Sequence, residues 1–197
     1  MKDRPYHHGD LAAALLTHAE ETLREKGAGA LSLRELARDL GVSPAAPSRH
    51  FRTKQALLDA LALAGFERLD QAVSVSLEDA GSSFVERLDA AARAYVGFAV
   101  DNPALLDLMY SVPYGQQPHA SLNTRPQAWS DQVLELIADG QRSGTVRQGP
   151  MERIAIPVFA ALHGYANIIV RGTLSPEVTV HGLDDVIAAI LRGCEPR

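Results

Sequence analysis

The stretch Leu33-Arg-Glu-Leu-Ala-Arg-Asp-Leu-Gly-Val-Ser-Pro-Ala-Ala-Pro-Ser-Arg-His-Phe51 decides the fold of this chain. Its first eight residues repeat leucine and alanine at helical spacing, which predicts a helix with one apolar face. Ser32 lies three residues before Glu35, the spacing of a capping box that satisfies backbone N–H groups at a helix start. Gly41 follows the last apolar residue, where a left-handed backbone conformation ends a helix at the lowest steric cost. We therefore predict a helix that begins near Ser32 and a sharp corner at Gly41.

A second helix is predicted to follow this corner. Ser43 can cap it, and Pro44 lies at its first position, where a missing backbone N–H costs nothing. Pro47 falls at the fourth helical position and forfeits only the first intrahelical hydrogen bond, so we expect a short, slightly loosened helix. Two short helices at a sharp corner make a helix-turn-helix, whose second helix fits the DNA major groove of roughly 12 Å width. The alternative is an ordinary helical hairpin with a glycine corner.

The first turn of the second helix supplies the residues that would meet base edges, and polar neighbours would meet phosphates. Lys54 is predicted to begin the next helix, beside that helix's positive end, where a phosphate explains its charge better than a buried core does. The residues predicted to contact DNA are Ser32, Arg34, Ser43, Ala45, Ala46, Ser48, Arg49, His50 and Lys54.

Charge is distributed unevenly along the chain. The 197 residues carry a net charge of −5, but residues 1–55 hold nine Lys and Arg against seven Asp and Glu, whereas residues 56–197 hold ten against seventeen. A basic head on an acidic body suits a protein whose head meets phosphates while its body avoids nonspecific DNA.

Several classes of protein are disfavoured by what the sequence lacks. It has no uninterrupted apolar run of about eighteen residues and no apolar signal segment at its start, so we expect a cytoplasmic protein without a membrane partner. Its one cysteine, Cys194, excludes an internal disulfide framework, and no Cys/His cluster has the spacing of a zinc site. Neither a Gly-rich phosphate loop nor a serine nucleophile elbow is present. We therefore expect no enzymatic activity, no cofactor and no metal.

The remaining apolar patterns have helical spacing, and none of comparable length alternates as a strand would. Leu11, Leu15, Ala19 and Leu23 repeat every four residues, and this stripe predicts a helix from Asp10 to Lys26 that covers the back of the motif. A long helix capped by Thr53 and running towards Ser76 is predicted to link the head to the body.

These patterns predict an all-α protein of about nine helices. A three-helix, helix-turn-helix DNA-binding domain is predicted at 1–52, and a helical effector-binding and dimerisation domain at 53–197. Residues 113–126 contain several prolines and are predicted to form a long loop that walls a pocket.

Two parts of the chain resemble a known family. Within residues 6–65, the segments Ser-Leu-Arg-Glu-Leu-Ala, Leu-Gly-Val-Ser and Arg-His-Phe-x-x-Lys resemble the tetracycline-repressor (TetR) family of transcription regulators. The opening Tyr-His-His-Gly-Asp-Leu and the later Trp129, Leu162-His-Gly-Tyr165 and Arg-Gly are similar to the subgroup whose carboxyl-terminal part is called the WHG domain.

The chain departs from the family pattern at two positions. Phe159 replaces the tryptophan that usually stands four positions before His163, and Ser48 replaces the tyrosine that usually precedes Arg49. Ser48 keeps a hydroxyl but reaches less far and buries less area than tyrosine. We therefore expect DNA affinity or operator choice to differ from the family norm.

The resemblance implies a ligand-responsive repressor that binds a two-fold symmetric operator in double-stranded DNA as a homodimer. It implies a four-helix interface made by the last two helices of each subunit, at about 151–170 and 182–193. Apolar side chains on these helices need cover. The predicted interface residues are Ile154, Val158, Leu162, Val186, Ile187, Ile190 and Leu191.

An effector cavity would be apolar with a few polar groups. Side chains of that kind in the predicted body are Tyr95, Phe98, Met109, Tyr110, Trp129, His163 and Asn167. Each of them can equally be plain core, and a lone histidine in an apolar helix is more often a hydrogen-bonded core or interface residue. The effector itself is not identified by the sequence.

Two other functions compete with the regulator. A helical small-molecule-binding or scaffolding protein with weak or lost DNA binding is suggested by Ser48 and the acidic body. A helical-bundle enzyme is a distant third, because no motif with the required geometry supports it.

Overall fold

The computed structural model describes residues 8–111, 128–175, 177 and 181–196. Within these ranges the chain forms eight α-helices, two short 3-10 turns and no β-strand, so the all-α prediction is confirmed. The predicted loop at 113–126 lies outside the described residues. The helices are α1 (His8–Lys26), α2 (Leu33–Asp39), α3 (Lys54–Glu78), α4 (Phe84–Asp101), α5 (Pro103–Ser111), α6 (Ala128–Ser143), α7 (Met151–Val170) and α8 (Gly182–Cys194), and the 3-10 turns are Ala28–Ala30 and Pro47–Arg49.

Helix caps explain several of these boundaries. Thr53 caps α3 as predicted, because its Oγ1 accepts a hydrogen bond of 3.0 Å from the backbone N–H of Ala56. A capping box begins α4: the Ser83 Oγ accepts from the Glu86 N–H, and the Ser83 N–H and hydroxyl donate to the Glu86 carboxylate. These hydrogen bonds lower the pKa of Glu86. The predicted start of α1 at Asp10 is wrong by two residues, since the helix begins at His8.

Contacts divide the chain into two compact units. Among the described residues, one unit comprises 8–66 and 102–111, and the other comprises 67–101, 128–175, 177 and 181–196. Because the division falls within α3, that helix contributes residues to both units. The predicted boundary between residues 52 and 53 stays a prediction.

The core of the first unit is built on α1, which contacts α2 and α5. The predicted i, i+4 stripe on α1 is buried, as the apolar spacing requires. α3 and α5 approach closely at Gly65, where a Cβ atom would lie 2.7 Å from the Met109 Sδ. The main buried side chains of the first unit are Leu11, Leu15, Ala19, Leu23, Leu36, Ala37, Leu57 and Leu61.

The core of the second unit lies among α4, α6, α7 and α8, where α4 and α7 contact each other and each contacts both α6 and α8. An ion pair joins α4 to α8, because the Arg93 guanidinium binds both Asp89 and Asp184. Hydrogen bonds to these two carboxylates raise the pKa of Arg93. The largest buried side chains of this unit include Leu69, Leu88, Tyr95, Ile137, Ile154 and Leu162.

The carboxyl end of α8 is fastened by Arg147. Its backbone N–H donates to the Cys194 carbonyl at 2.8 Å, and its Nε donates to the Gly193 carbonyl at 3.0 Å. These bonds satisfy carbonyls that have no partner within the helix. Cys194 is buried, and burial raises the pKa of its thiol.

Candidate DNA interface and ligand-binding cluster

The corner of the helix-turn-helix forms at Gly41, as the sequence predicts. Gly41 has a φ of +68°, and its N–H donates to the Arg38 carbonyl while the Val42 N–H donates to the Ala37 carbonyl. This pair of hydrogen bonds is the Schellman motif, which ends a helix in a left-handed residue. It fixes the direction in which the chain leaves α2.

The predicted capping box at the start of α2 is wrong. Ser32 is extended and makes no side-chain cap hydrogen bond; its carbonyl accepts the Leu36 N–H at 3.0 Å. Arg34 and Glu35 in this first turn are exposed. Water can therefore satisfy the N–H groups that the Ser32 hydroxyl leaves unbonded.

After the corner, residues 44–50 form what we call the reading turn. It consists of tight turns and a 3-10 segment, not the predicted α-helix. The Ala46 N–H donates to the Ser43 carbonyl at 2.9 Å, and the His50 N–H donates to the Pro47 carbonyl at 3.0 Å. Pro47 has no N–H with which to make the α-helical bond to Ser43. The predicted α-helix is therefore replaced by a short 3-10 helix, Pro47–Arg49, so the prediction is wrong in helix type and length.

The reading turn is anchored by its apolar side chains and presents its polar ones. Pro47 and the following Phe51 are buried, whereas Ser48, Arg49 and His50 are exposed. The Ser48 hydroxyl donates to the Ala45 carbonyl at 2.7 Å. Ser48 can therefore accept a hydrogen bond from outside without rearrangement, but its proton is already used.

Residues beside the reading turn add polar groups to the same unit. Arg34 and Ser43 are exposed, Ser32 and Ala46 are half-buried, and all four were predicted to contact DNA. Lys54 is half-buried and donates from Nζ to the carbonyl of residue 29 at 2.9 Å. An ammonium group has three N–H donors, so this bond leaves Lys54 able to reach an anion.

A histidine pairs α1 with α2 behind the exposed positions. His18 lies 3.5 Å from Asp39 through Nε2 and 3.1 Å from Glu21 through Nδ1. A hydrogen bond from Arg38, with a further one from His18, lowers the pKa of Asp39. These groups are largely exposed, and such pairs add little to stability.

The second unit contains a group of aromatic and polar side chains that we call the Trp129 cluster: Tyr95, Trp129, Gln132, Phe159 and His163. The Trp129 ring lies 4.8 Å from the Tyr95 ring and 4.8 Å from the Phe159 ring, edge-on to the latter at 77°. The Tyr95 hydroxyl and the His163 Nδ1 are 2.8 Å apart and share a hydrogen bond. Three helices, α4, α6 and α7, supply these side chains.

Two residues of α3 hold the α6 side of this cluster. The Trp129 backbone N–H donates to the Asp70 carboxylate at 2.8 Å, and the Gln132 Nε2 donates to the Ser74 hydroxyl at 2.6 Å. The indole Nε1 of Trp129 and the Oε1 of Gln132 are buried without a hydrogen-bond partner. The cluster thus keeps one donor and one acceptor unused.

The structure brings together three of the predicted effector residues, Tyr95, Trp129 and His163. Asn167 lies next to them, since its Nδ2 donates to the His163 carbonyl at 3.0 Å. Phe98 is buried on α4.

Two other predicted effector residues, Met109 and Tyr110, belong to the first unit. Met109 packs where α5 approaches Gly65, and the Tyr110 ring lies 5.9 Å from the Phe66 ring. Both therefore have structural partners in their own unit.

The predicted effector residues do not include Gln132 and Phe159, which belong to the cluster. They also do not include Asp70 and Ser74, which support it. Gln132 follows Trp129 by three residues, a spacing that places two side chains on one helix face. That spacing could have identified Gln132 from the sequence. Asp70 and Ser74 could not be identified in this way, because they are distant in sequence from Trp129 and Gln132.

Five of the predicted interface residues are buried within the protomer, and Val186 and Leu191 are half-buried. Their apolarity is therefore explained by the core of one subunit. The outward side of α7 is nevertheless apolar: Ile156 is 63% exposed, and Pro157, Ala160 and Gly164 are exposed. A groove of about 250 Å³ adjoins it between α7 and α8, lined partly by Pro157, Ala161, Ala189, Ile190, Gly193 and Cys194. The buried predicted residues are Ile154, Val158, Leu162, Ile187 and Ile190.

Two further properties bear on function. Among the described residues, no group of three His, Cys, Asp or Glu side chains could hold a metal ion. In the same part of the chain, α7 is long and apolar enough to cross a membrane by length and composition, with 28% of the tested window buried. An apolar helix of this kind also suits an interface between subunits.

Comparison with known proteins identifies the family. Residues 15–61 match the family model of the bacterial regulatory proteins, tetR family, and residues 88–193 match that of the tetracyclin repressor-like, C-terminal domain. The chain belongs to the tetR family. The second match covers more than half of it.

Individual proteins and solved structures are similar to this chain. An HTH-type transcriptional regulator of Mycobacterium tuberculosis is 33% identical over 141 residues, which are 70% of this chain and 60% of that protein. The match thus spans less than two thirds of that curated relative. A protein of unknown function from a Rhodococcus species is 40% identical with a TM-score of 0.86, over 98% of this chain and 100% of the other. A tetR-family regulatory protein from Rhodococcus shares the fold, with a TM-score of 0.74 and 24% identity over 93% and 96% of the two chains.

Proposed function

We propose that this tetR-family protein is a cytoplasmic, ligand-responsive repressor that binds a two-fold symmetric DNA operator as a homodimer and leaves it when a small-molecule effector binds. The reading turn is the observation that carries the proposal. There, Pro47 and Phe51 are buried while Ser48, Arg49 and His50 face solvent. Buried anchors hold the turn, so its polar side chains are free to meet DNA.

Arg49 is the principal DNA contact in this proposal. It is exposed, and a guanidinium can bind the O6 and N7 atoms of guanine with two hydrogen bonds. Arg34 and Lys54 contact phosphates and set the position of the turn on the duplex. Ser48 accepts a hydrogen bond, because its proton is donated within the turn.

The homodimer is proposed to form across the outward side of α7 and the adjoining groove. A large aliphatic side chain such as Ile156, 63% exposed, costs free energy when it faces water. Small exposed residues beside it, Ala160 and Gly164, allow another helix to approach closely. A two-fold pair then places two reading turns in successive major grooves, about 34 Å apart.

Effector control is proposed to act through α3. Its Asp70 and Ser74 are hydrogen-bonded to Trp129 and Gln132, and the same helix begins four residues after the reading turn, at Lys54. A ligand that changes the position of Trp129 changes these bonds on α3. Effector and operator then oppose each other reciprocally, because coupling between two binding sites is symmetric in free energy.

The DNA-binding part is tested by selecting operator sequences from random DNA with the purified full chain and measuring band shifts. Arg49→Ala is expected to weaken binding by about 1–3 kcal/mol and to relax the preference at one base pair. Arg24→Ala, an exposed arginine at the end of α1, is the matched control and is expected to bind normally. Affinity is expected to fall steeply with salt, because bound phosphates release counterions.

The competing function is a helical small-molecule-binding protein without an operator. It is favoured by the 3-10 geometry of the reading turn and by the Ser48 hydroxyl that is tied to Ala45. Failure of the selection to enrich any sequence, together with salt-insensitive binding, would overturn the repressor in favour of this alternative. A uniform loss across sequences in Arg49→Ala would reassign Arg49 to a phosphate.

The homodimer is tested by sedimentation equilibrium of Ile156→Glu. A carboxylate in the interface is expected to shift the protein to monomer, because an unpaired charge is costly to bury. Val85→Glu is the matched control, since Val85 is also an exposed β-branched residue of the second unit, at 53%. Dissociation of both variants, or of neither, would contradict this interface.

A further inference from the structure

Two polar atoms of the Trp129 cluster are buried and unsatisfied. Trp129 is 5% exposed, yet its indole Nε1–H donates to nothing, and the Gln132 Oε1 accepts from nothing. Native proteins pair nearly all such buried groups, and each exception asks for a physical reason. A bound molecule that forms hydrogen bonds with both atoms would be such a reason.

Neither side chain is free to turn away in search of another partner. The Trp129 indole packs against Tyr95 and Phe159, whose ring centroids are each 4.8 Å from its own, and the Trp129 backbone N–H is bonded to Asp70. The other end of the Gln132 amide is bonded to Ser74 at 2.6 Å. Both unsatisfied groups are therefore fixed in place by the fold.

The two groups are also neighbours on one helix face. Trp129 and Gln132 are three residues apart on α6, a spacing at which Cβ atoms lie about 5–6 Å apart. One offers a donor and the other an acceptor. A single hydroxyl group, which donates once and accepts as well, has the chemistry to satisfy both.

We propose that the Trp129 cluster binds a neutral, largely apolar small molecule through a hydroxyl group that accepts from the Trp129 indole N–H and donates to the Gln132 Oε1. This inference rests on the proposed function, since it assigns a chemical class to the effector. The Tyr95 and Phe159 rings flank the indole that makes the first of these bonds, which makes its surroundings apolar. Tyr95 and His163 already share a hydrogen bond, so they orient the aromatic wall.

The charge of the site favours a neutral ligand. The Asp70 carboxylate accepts a hydrogen bond from the Trp129 backbone N–H, and its negative charge repels an anion nearby. Burying an unpaired ion is far more costly than burying a hydroxyl that finds its partners. Cyclohexanol is accordingly expected to bind, whereas cyclohexanecarboxylate at neutral pH is not.

The test uses the single tryptophan of the chain. In the ¹⁵N-labelled full-length protein, the indole N–H of Trp129 gives one cross-peak, which reports directly on this donor. Three probes of one size are titrated: cyclohexanol donates and accepts, cyclohexanone only accepts, and methylcyclohexane does neither. Cyclohexanol is expected to bind tightest and methylcyclohexane weakest, with about a fivefold step for each hydrogen bond.

The indole proton is expected to move downfield with cyclohexanol and with cyclohexanone, because both accept its hydrogen bond. Equal binding of the three probes, or an indole peak that stays in place at saturation, would overturn the proposal. Ordered water alone would satisfy the two groups. In that case none of the probes moves the peak, which also overturns it.

Gln132→Leu separates the two hydrogen bonds. It removes the acceptor and is expected to abolish the advantage of cyclohexanol over cyclohexanone, while cyclohexanone still moves the indole peak. Ser130→Ala, on the same helix and next to Trp129 in sequence, is the matched control and is expected to keep the wild-type order of affinities. An unchanged cyclohexanol advantage in Gln132→Leu overturns the assignment of the acceptor.

Band shifts on the same samples keep this proposal distinct from the repressor itself. Normal operator binding with no response to the probes overturns only the ligand class. A chain that binds the probes in the expected order but selects no DNA supports the ligand class and overturns the repressor.

Discussion

The reading turn and the Trp129 cluster treat their polar groups in opposite ways. In the reading turn, apolar Pro47 is buried and Arg49 faces solvent. In the cluster, Tyr95 and Trp129 are buried together with their polar atoms. A site for a large polyanion can stay open because phosphates come to the surface, whereas a site for a small molecule must enclose it.

This difference separates binding from stability. The exposed side chains of the reading turn are expected to matter for DNA and little for folding, because exposed residues contribute few contacts. Side chains of the cluster are expected to matter for both, since the same atoms form the core of the second unit. Three measurements break or sharpen this contrast.

The largest effect is expected in the cluster. Tyr95 is 1% exposed, so Tyr95→Ala is expected to lower the free energy of unfolding by about 3–5 kcal/mol in urea denaturation followed by circular dichroism. Tyr95→Phe keeps the ring and loses the hydrogen bond to His163, which is expected to cost about 1 kcal/mol. The free energy of unfolding of Arg49→Ala is expected to stay within about 0.5 kcal/mol of the wild-type value. If Tyr95→Ala were as stable as Arg49→Ala, the proposed difference in stability between the cluster and the reading turn would be wrong.

A smaller effect is expected at the corner that aims the reading turn. Gly41 has a φ of +68° and open space where a Cβ would stand, so Gly41→Ala suffers backbone strain without a clash. Thermal unfolding is expected to show a loss of about 1–2 kcal/mol. Gly29→Ala is the control, because it also has open space but no positive φ. Equal losses in the two variants would show that conformation at Gly41 is not the cause.

The smallest effect distinguishes two copies of the same Ser-x-x-Glu pattern. Hydrogen bonds from Ser83 hold the pKa of Glu86 below its ordinary value of 4.5. The contribution of Glu86 to the stability of the folded protein is therefore complete above pH 4.5. It is lost as the pH falls through the lower pKa that Glu86 has in the folded state. Glu86→Gln is expected to flatten the stability curve in that acid window, measured by urea denaturation at successive pH values. Glu35→Gln is the matched control, because no side-chain cap bond forms at Ser32.

That pair of patterns shows how far a sequence can be interpreted. Ser32 with Glu35 and Ser83 with Glu86 are identical in spacing, but only the second forms the box. Spacing fixes which groups are within reach. Whether they bond depends on the backbone angle of the serine and on competing water, which the local sequence does not encode.

Elements that depend on a single sequence feature were predicted correctly. The α1 stripe, the Gly41 corner and the Thr53 cap each follow from periodicity or from a single backbone requirement. The reading turn was mispredicted because Pro47 has two opposing effects, a tolerated position and a lost hydrogen bond. Gln132 was missed because its partner Ser74 is distant in sequence.

Cys194 gives the experimenter an advantage. Thiolate is the species that reacts with maleimides and iodoacetamide, and Cys194 is only 3% exposed, while burial raises the pKa of its thiol. Since the chain has no other cysteine, a new one introduced on an exposed position should react far faster than the native residue. Fluorescent labels can then be attached at a chosen surface position of the native chain without first replacing Cys194.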